Sequence, residues 1–600
     1  MAGCGAAVNL LEPCHIGQFP SLEYGYGLDW RRRFACEPAT ALIRSQILIE
    51  AGSLRRVPPV SGTIAGSAVG ASQGAGGTPS ERRGLALRPV GWVIVTATLL
   101  ALALRVYQLA RPGELFGVAW YDDGVYFGSA VRLVHGVPPY RDFVFAQPPG
   151  ITLLMVPAAL LSKVTGTAWG MAVARILTLL ASTAGVVLGG LLVRHRGLLA
   201  VVMTCGLLAV FPASVTTTYT IFLEPWVALF CLAGALAVFD GDRLTDSRRR
   251  LLWGGVTFGF GGAVESWAIV PVLVVVLLAL PQIRKAAIMA GGIAAGFLVP
   301  VLPFVALAPR RFYDSVFLAQ LVRYGQVRVP VWTRLQDITG LGNLHQVSQG
   351  VIILLTVVLV GFVMVTLAAA SLITRRPPPP LESFGVLTAA LVVVGFMWPP
   401  GFFFHFPAFL APWLALALAL PASRLLAAAR PAAQRLGIGD GVQWLAVGVA
   451  ALVAVVFAVI QARSESTLTP RVRPAAVAAV RRAIPPGACV LTDQASFTVA
   501  ADRFTSDVPG CSLMIDPLGT DYALSPGRDA LNGAGRYPAV ESITRYAFEH
   551  AQYVWLAGTY NLRRIAWTPA LRAYFSAHFV KVLADRQGDT LYVRRGLRPR

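Results

Sequence analysis

Two adjacent carboxylates, Asp122 and Asp123, lie in a segment with aromatic residues on both sides. A carboxylate positioned beside a hydroxyl group can accept its proton and so make the oxygen a better nucleophile. The structural alternative is that Asp123 caps the amphipathic helix predicted to follow it. Proline-rich sequences at 138–142 and 147–150 come next, and this context favours a functional loop over an isolated helix cap.

Three further ionisable residues, Glu224, Glu265 and His405, stand at the ends of apolar runs. Ionisable groups are costly inside a membrane, so those found there are often functional. Anchoring at the membrane interface is the alternative for each of them. The aromatic residues that precede His405 suit either a belt at the lipid headgroups or stacking against a substrate.

Most of the chain is apolar, and this indicates the environment that must hold these residues. Of 600 residues, 56% are hydrophobic and 14% are charged, and the mean hydropathy is +0.63. Soluble domains carry about 25% charged residues, so the sequence predicts a polytopic α-helical membrane protein in a lipid bilayer. We predict about eleven transmembrane helices, at 90–110, 169–193, 197–214, 220–239, 251–265, 267–281, 286–308, 349–373, 384–399, 405–421 and 442–461.

Positive charge predicts which ends of these helices face the cytoplasm. The apolar run 151–161 is too short to cross a hydrocarbon core of about 30 Å, so we predict an interfacial helix there. With that assignment most loop arginines collect on the cytoplasmic side, as the positive-inside rule requires. The formal net charge of +21 is thereby explained without nucleic-acid binding. The outer segment 309–346 departs from the pattern, because it carries five arginine residues.

The chain divides into three predicted regions. Residues 1–88 are rich in Gly, Ala, Ser and Arg, and we predict a disordered, basic, cytoplasmic segment. Residues 89–462 form the predicted transmembrane domain, with a first external loop at 111–150. Residues 463–600 alternate between helical and strand patterns, which is typical of a small α/β domain. The odd number of spans places this C-terminal domain on the extracytoplasmic side.

The cysteines and the nucleotide-binding motifs give further limits. Cys489 and Cys511 of the C-terminal domain could form a disulfide, which an extracytoplasmic location would permit. The alternative is two unpaired buried thiols. No Cys pair or Cys/His cluster in the sequence indicates a metal site, and neither a P-loop nor a nucleotide-sugar motif is evident.

The stretch 121–150 resembles the first external loop of the GT-C superfamily of integral-membrane glycosyltransferases. This superfamily includes protein O-mannosyltransferases, aminoarabinose transferases and actinobacterial mannosyl- and arabinosyltransferases. Its members typically have an acidic pair after the first transmembrane helix, then interfacial helices with a proline-rich turn, a multi-span core and often an external domain. The resemblance implies that Asp122 is the catalytic carboxylate, as a general base or metal ligand, and that Asp123 is the second catalytic acidic position.

The resemblance also implies a substrate site on the outer face. A lipid-phosphate leaving group needs cations nearby, and Arg323 and Arg334 of the outer arginine-rich segment are candidate phosphate partners. Contact with lipid headgroups is the alternative for both. Glu224, Glu265 and His405 are all predicted to lie on the outer face, and we assign them to the same substrate-binding site. His405 also resembles the histidine that precedes a late helix in several GT-C families.

The implied reaction is transfer of a hexose or pentose from a polyprenyl-phosphate donor to a glycan, lipid or protein acceptor in cell-envelope biosynthesis. It would take place at the outer face of the inner (cytoplasmic) membrane. The resemblance implies no certain cofactor, and a divalent cation at the acidic pair is left open. One alternative is a transporter or lipid flippase, which would be expected to show an internal repeat. The other is a non-catalytic scaffold, in which the acidic pair would be dispensable.

Overall fold

Helices dominate the computed structural model of the protein, and a small sheet lies near the C-terminus. Most of the predicted N-terminal segment, residues 1–78, lies outside the described residues. The first helix begins at Pro79, so it overlaps the end of that segment. The structure describes residues 79–322, 328–342, 347–467, 474–525, 537–558, 565–585 and 588–597.

The helices follow the apolar runs closely. Predicted spans such as 349–373 and 169–193 differ from the observed helices by only one or two residues at each end. The helices up to residue 467 are α1 (Pro79–Leu109), α2 (Tyr121–Val134), α3 (Gly150–Thr165), α4 (Thr167–Val193), α5 (Leu198–Val210), α6 (Pro212–Thr216), α7 (Glu224–Val238), α8 (Arg248–Val264), α9 (Ile269–Ala279), α10 (Ile283–Leu307), α11 (Pro309–Tyr313), α12 (Ala319–Val322), α13 (Val331–Ile338), α14 (Gln349–Thr374), α15 (Pro380–Met397), α16 (Pro407–Arg435) and α17 (Gly439–Thr467). A short hairpin of strands β1 (Phe239–Asp240) and β2 (Arg243–Leu244) joins α7 to α8.

Seven stretches among the described residues are long and apolar enough to cross a membrane. The helices α3, α5 and α7 are apolar but shorter. The prediction of a polytopic helical membrane protein is therefore confirmed, whereas the number eleven stays a prediction. The seven stretches are Pro89–Leu109, Thr167–Arg196, Ser266–Leu307, Gln349–Thr374, Pro380–Met397, Pro407–Arg435 and Gly439–Ser464.

Glycines bring α8 and α10 into close contact. A Cβ atom on Gly259 would lie 2.1 Å from the backbone oxygen of Ile293, and one on Gly255 would lie 2.3 Å from that of Met289. Small residues at four-residue spacing allow membrane helices to approach this closely. Since the residue numbers of the two helices rise together along the contact, α8 and α10 run parallel. The intervening α9 must therefore return in the opposite direction, as the predicted pair of short helices requires.

The C-terminal region forms a four-stranded mixed sheet with helices around it. Its strands have the order β3-β4-β6-β5, with β3 and β4 parallel and the other pairs antiparallel. Cys489 and Cys511 form a disulfide beside the first strand, so the disulfide alternative is the one the structure adopts. The elements are α18 (Pro474–Ala483), β3 (Val490–Thr492), α19 (Ala495–Ala500), α20 (Pro517–Leu524), α21 (Pro538–His550), β4 (Tyr553–Leu556), α22 (Pro569–His578), β5 (Phe579–Ala584) and β6 (Thr590–Arg594).

The C-terminal region packs directly on α2, the helix that carries the acidic pair. A Cβ atom on Gly124 would lie 1.9 Å from the backbone nitrogen of Ser496 in α19, and one on Gly128 would lie 2.9 Å from the ring of Phe504. Any side chain at Gly124 would force the two backbones apart. The glycine therefore fixes how closely α19 approaches α2.

Hydrogen bonds attach the same region to the start of α4. The hydroxyl group of Thr167 donates to the backbone oxygen of Val499 at 2.7 Å, and the backbone N–H of Ala168 donates to the carboxylate of Asp502 at 2.8 Å. Apolar side chains of α2, α3 and the C-terminal region also share one buried cluster. The helices α2 and α3 and the C-terminal region are therefore packed as one body.

Candidate active site

The two carboxylates of the acidic pair point to different surroundings, because neighbouring residues of a helix face directions about 100° apart. Asp123 is fully buried, whereas Asp122 is partly exposed. The N-cap residue of α2 is Trp120, and no side chain caps the helix. Asp123 therefore has a different role from the helix cap that was its structural alternative.

Asp123 is held by three donors from two other parts of the chain. Arg175 of α4 donates to its Oδ2 at 2.6 Å, while the hydroxyl of Thr220 and the backbone N–H of Ile221 donate to its Oδ1 at 2.5 and 2.7 Å. The ion pair is completely shielded from solvent. Asp123 thus fastens the start of α2 to α4 and to the segment before α7.

Arg175 is itself hydrogen-bonded to the backbone that precedes α2. Its guanidinium also donates to the backbone oxygens of Glu114, Leu115 and Gly117, at 2.7 to 3.0 Å. A buried arginine without hydrogen-bond acceptors would be costly in free energy. Each of these contacts is a charge-assisted hydrogen bond that offsets part of this cost. The first external loop is therefore ordered around one buried cation.

Asp122 is the carboxylate that remains available. Among the residues that the structure describes, none donates a hydrogen bond to it. Burial raises the pKa of Asp122 to about 6, and the nearby carboxylates of Asp516, Glu224 and Asp123 add to the increase while His405 opposes it. A carboxyl group with this pKa is largely ionised at neutral pH and is still a stronger base than an ordinary aspartate.

Glu224 and His405 form a pair beside Asp122. The Nδ1 atom of His405 lies 2.5 Å from Oε1 of Glu224, and the Glu224 side chain is 1% exposed. The ring of Phe222 stacks on the imidazole with a centroid distance of 4.3 Å. Because a carboxylate accepts, His405 donates through Nδ1, which fixes the orientation of its ring. The structure therefore brings together three of the predicted site residues.

Aromatic rings form one wall of this group. The indole N–H of Trp120 donates to the hydroxyl of Tyr219, and the Trp120 ring lies 4.8 Å from that of Phe404, centroid to centroid. Phe404 in turn meets Phe222 edge to face at 5.9 Å. Partly exposed aromatic rings beside convergent polar groups are typical of small-molecule sites.

The C-terminal region contributes to the same place. The hydroxyl of Tyr121, the first residue of α2, donates to Oδ1 of Asp516 at 2.6 Å. Asp516 is also the N-cap of α20 and accepts from the backbone N–H of Gly519 at 2.7 Å. No residue of this region was predicted as a site residue. The Asp–Pro sequence at 516–517 signals a helix start, but no local signal reveals that the cap touches α2.

Glu265 is the remaining carboxylate predicted for the substrate site. It follows α8, is buried, and lies close enough to Cys231 of α7 to act on it electrostatically. Cys231 is seven residues beyond Glu224 on the same helix, about 10 Å further along the axis. The assignment of Glu265 to the substrate site stays a prediction.

The two predicted phosphate partners differ in what the structure describes. Arg323 lies outside the described residues. Arg334 is buried, and its guanidinium donates to the backbone oxygens of Val329, Phe396 and Pro400 at 3.1, 2.6 and 2.6 Å. In this arrangement Arg334 holds the segment before α13 against the end of α15, and its phosphate-binding role stays a prediction.

A metal ion does not fit the side chains as they stand. Within the described ranges, no three His, Cys, Asp or Glu side chains have a geometry that could hold one ion. Asp123 is directed to Arg175, and Glu224 is directed to His405. We therefore derive no step through a divalent cation at the acidic pair.

Comparison with solved structures identifies the fold. ArnT from Cupriavidus metallidurans bound to undecaprenyl phosphate has a TM-score of 0.55 and 13% sequence identity, covering 84% of this chain and 98% of that chain. The archaeal oligosaccharyltransferase AglB from Archaeoglobus fulgidus, in complex with an inhibitory peptide and a dolichol-phosphate, has a TM-score of 0.51 and 14% identity, covering 84% and 74%. No protein-family model matches the chain, and no curated protein sequence matches it.

ArnT and AglB are GT-C glycosyltransferases. At 13 to 14% identity the similarity concerns the fold alone. The chain has the GT-C fold, a helical membrane region followed by a small C-terminal domain that contains a sheet. The resemblance that the first external loop indicates is confirmed at this level.

Proposed function

We propose that the protein is a membrane glycosyltransferase that moves a monosaccharide, a hexose or a pentose, from a polyprenyl-phosphate donor to an acceptor hydroxyl group. The observation that carries the proposal is the state of Asp122. It is a partly exposed carboxylate with a raised pKa, set beside a His–Glu pair and an aromatic wall. This is the arrangement that a general base for a hydroxyl nucleophile needs.

Asp122 would accept the proton of the acceptor hydroxyl while that oxygen attacks the anomeric carbon of the donor sugar. The bond from this carbon to the phosphate oxygen breaks, and the polyprenyl phosphate leaves with the electron pair. Asp123 does not touch the reactants in this proposal. With Arg175 it keeps α2, and so Asp122, in place.

His405 would be the cation that faces the donor phosphate. Its Nδ1 is held by Glu224, which fixes the orientation of the imidazole ring beside Asp122. A hydrogen bond between an imidazolium and a phosphate oxygen is charge-assisted and short. Removing Glu224 would therefore weaken phosphate binding through His405 and not through any contact of its own.

The choice of a lipid-linked donor draws support from the structural neighbours. The ArnT structure contains undecaprenyl phosphate, and the AglB structure contains a dolichol-phosphate and a peptide. Undecaprenyl phosphate and dolichol-phosphate are both polyprenyl chains that end in a phosphate. A chain of the same fold, with apolar membrane helices below an acidic site, is suited to a donor of this chemistry. The acceptor would be a glycan, a lipid or a protein.

The proposal includes a location. The site and the C-terminal domain would lie on the outer face of the inner membrane, with residues 1–88 in the cytoplasm. The basic loops between α4 and α5 and between α7 and α8 support this orientation. Fusion of a periplasmic-active reporter to the C-terminus tests it, since activity is expected only if that terminus is outside.

The donor class is tested with purified protein in liposomes. Radiolabelled mannose or arabinose would be supplied either as the polyprenyl-phosphate or as the nucleotide sugar, together with a membrane extract as the source of acceptor. We expect label to move only from the lipid-linked donor. Transfer from the nucleotide sugar with an extract that has been depleted of polyprenyl phosphate would refute the proposed donor.

A further inference from the structure

We propose that the C-terminal domain completes the active site: Asp516 is a positioning residue that holds Tyr121, and with it Asp122, and supplies a fixed negative charge beside the base. The inference rests on the proposed function, because it gives the base a second domain as its support. It concerns a region in which the sequence alone indicates no site residue.

The contact is direct and shielded. The Tyr121 hydroxyl donates to Asp516 at 2.6 Å, and the backbone N–H of Leu518 approaches the same hydroxyl at 3.4 Å. Asp516 is only 7% exposed, so water competes little for this hydrogen bond. Tyr121 directly precedes Asp122 in the first turn of α2. A shift of the phenol would therefore be transmitted to the base.

The helix α20, which Asp516 caps, is wedged between two external segments. Tyr522 of α20 shares a buried cluster with Ala319 of α12. On the other side a Cβ atom on Gly519 would lie 3.2 Å from Ala146 of the first external loop. The side-chain amide of Gln320 donates to the backbone oxygen of Ala146 at 2.7 Å and closes the arrangement. Asp516 is thus held from two directions and is a rigid anchor for Tyr121.

Helix capping alone does not account for the geometry. The cap requires only that Asp516 accept the backbone N–H of Gly519, and this bond is present at 2.7 Å. The tyrosine, almost four hundred residues away in sequence, adds a second donor to the same oxygen. A second donor on one carboxylate oxygen indicates a role that joins the two domains.

Charge gives the anchor a chemical consequence. Among the described residues, the charged and titratable groups that act on Asp122 are Asp123 on its own helix, Glu224 at the start of α7, His405 before α16, and Asp516 before α20. Asp516 is the only one of the four contributed by the C-terminal domain. Its negative charge raises the pKa of Asp122 and so makes it a stronger base.

A neighbouring carboxyl group supplies a matched control. Asp521, on the same helix, has its pKa raised to about 8 by burial and, to a smaller extent, by the charge of Asp516. It is therefore mostly uncharged at neutral pH and adds little negative charge near the base. Replacing Asp521 with asparagine should change no charge below pH 7.

The test is the pH dependence of kcat/KM for sugar transfer by three variants of the full chain in liposomes. Asp516→Asn keeps the size of the side chain and an effective helix cap but removes the charge. We expect the acid limb of the kcat/KM profile of this variant to move to lower pH by about half a unit or more, since a negative charge near Asp122 is lost. Tyr121→Phe keeps the charge but loses the hydrogen bond, and kcat/KM should fall about tenfold or more through misplacement of the base. Asp521→Asn should leave the acid limb in place.

A second readout does not need turnover. Carbodiimide coupling of protonated Asp122, followed by peptide mass spectrometry across a pH series, reports its titration directly. The midpoint should be lower in Asp516→Asn than in wild type and unchanged in Asp521→Asn. An Asp516→Asn variant with an unshifted midpoint, or with an unshifted acid limb, would overturn the inference. If wild type transfers no sugar but the midpoint moves, the proposed function fails and the effect of the Asp516 charge on Asp122 stands.

Discussion

Replacing Arg175 with methionine is expected to destabilise the protein strongly. Arg175 and Asp123 are both completely buried and 2.6 Å apart. Methionine fills most of the volume of the arginine stem but removes the charge. The carboxylate of Asp123 would then stay buried with only Thr220 and Ile221 as donors.

The magnitude follows from what is left unpaired. Removing one partner of a buried ion pair costs about 3–5 kcal/mol, because the other charge has no compensation. The backbone oxygens that Arg175 also binds lose their donor, and each buried unsatisfied group adds about 1–3 kcal/mol if water does not reach it. We therefore expect a loss of at least about 3 kcal/mol in the free energy of unfolding.

The assay is equilibrium unfolding in mixed detergent micelles, with Arg481→Met as the control. Arg481 pairs with Asp502 at 2.9 Å, but its side chain is 54% exposed, so its removal should cost no more than about 1 kcal/mol. The double variant Arg175→Met/Asp123→Leu should recover part of the loss, because both charges are gone. A free energy of unfolding for Arg175→Met within 1 kcal/mol of wild type would show that the ion pair does not fasten α2.

Three further predictions concern the site and its support. Because the base must be ionised, the rate of transfer should decline as the pH falls through about 6, the pKa of Asp122. Below that pH the decline should approach tenfold per pH unit. A flat rate between pH 5 and 7 would contradict this. Gly124→Ala should weaken the packing of the C-terminal domain on α2, since the added Cβ would lie 1.9 Å from the Ser496 backbone. Faster proteolysis of residues 463–600 would report this change. Gly91→Ala is the control, because nothing lies within 4 Å of a Cβ at that position. Cys489→Ser should lower the stability of the C-terminal domain by about 2–5 kcal/mol, as measured by thermal unfolding. If chemical reduction of the wild type left the midpoint of its thermal unfolding unchanged, that result would argue against the disulfide.

The membrane region could be predicted well because its signal is local. A run of apolar residues long enough to cross the bilayer specifies a helix by itself, and predicted spans such as 349–373 and 442–461 agree with α14 and α17. The reversal at α9 was also predictable from two short apolar runs with few residues between them. In the C-terminal region, the predicted alternation of helical and strand patterns agrees with the helices and the four-stranded sheet.

The site could be predicted only as a set of separate residues. Glu224 and His405 stood out because an ionisable group at the end of an apolar run is costly, but nothing in the sequence joins them across 181 positions. The same holds for Asp123 and Arg175, and for Tyr121 and Asp516. Such pairs are chosen by how whole helices and domains pack, so the composition of a local window does not contain them.

The role of Asp122 as the base is tested most directly by comparing Asp122→Asn with Asp142→Asn. Asp142 lies in the same external loop but pairs with the neighbouring Arg141 at the surface, so it controls for the loss of one carboxylate. The measurement is the rate of sugar transfer from the polyprenyl-phosphate donor by folded protein in liposomes. We expect Asp122→Asn to lose about 10²-fold or more of the wild-type rate, while Asp142→Asn keeps it. Equal rates for wild type and Asp122→Asn would contradict the role assigned to Asp122.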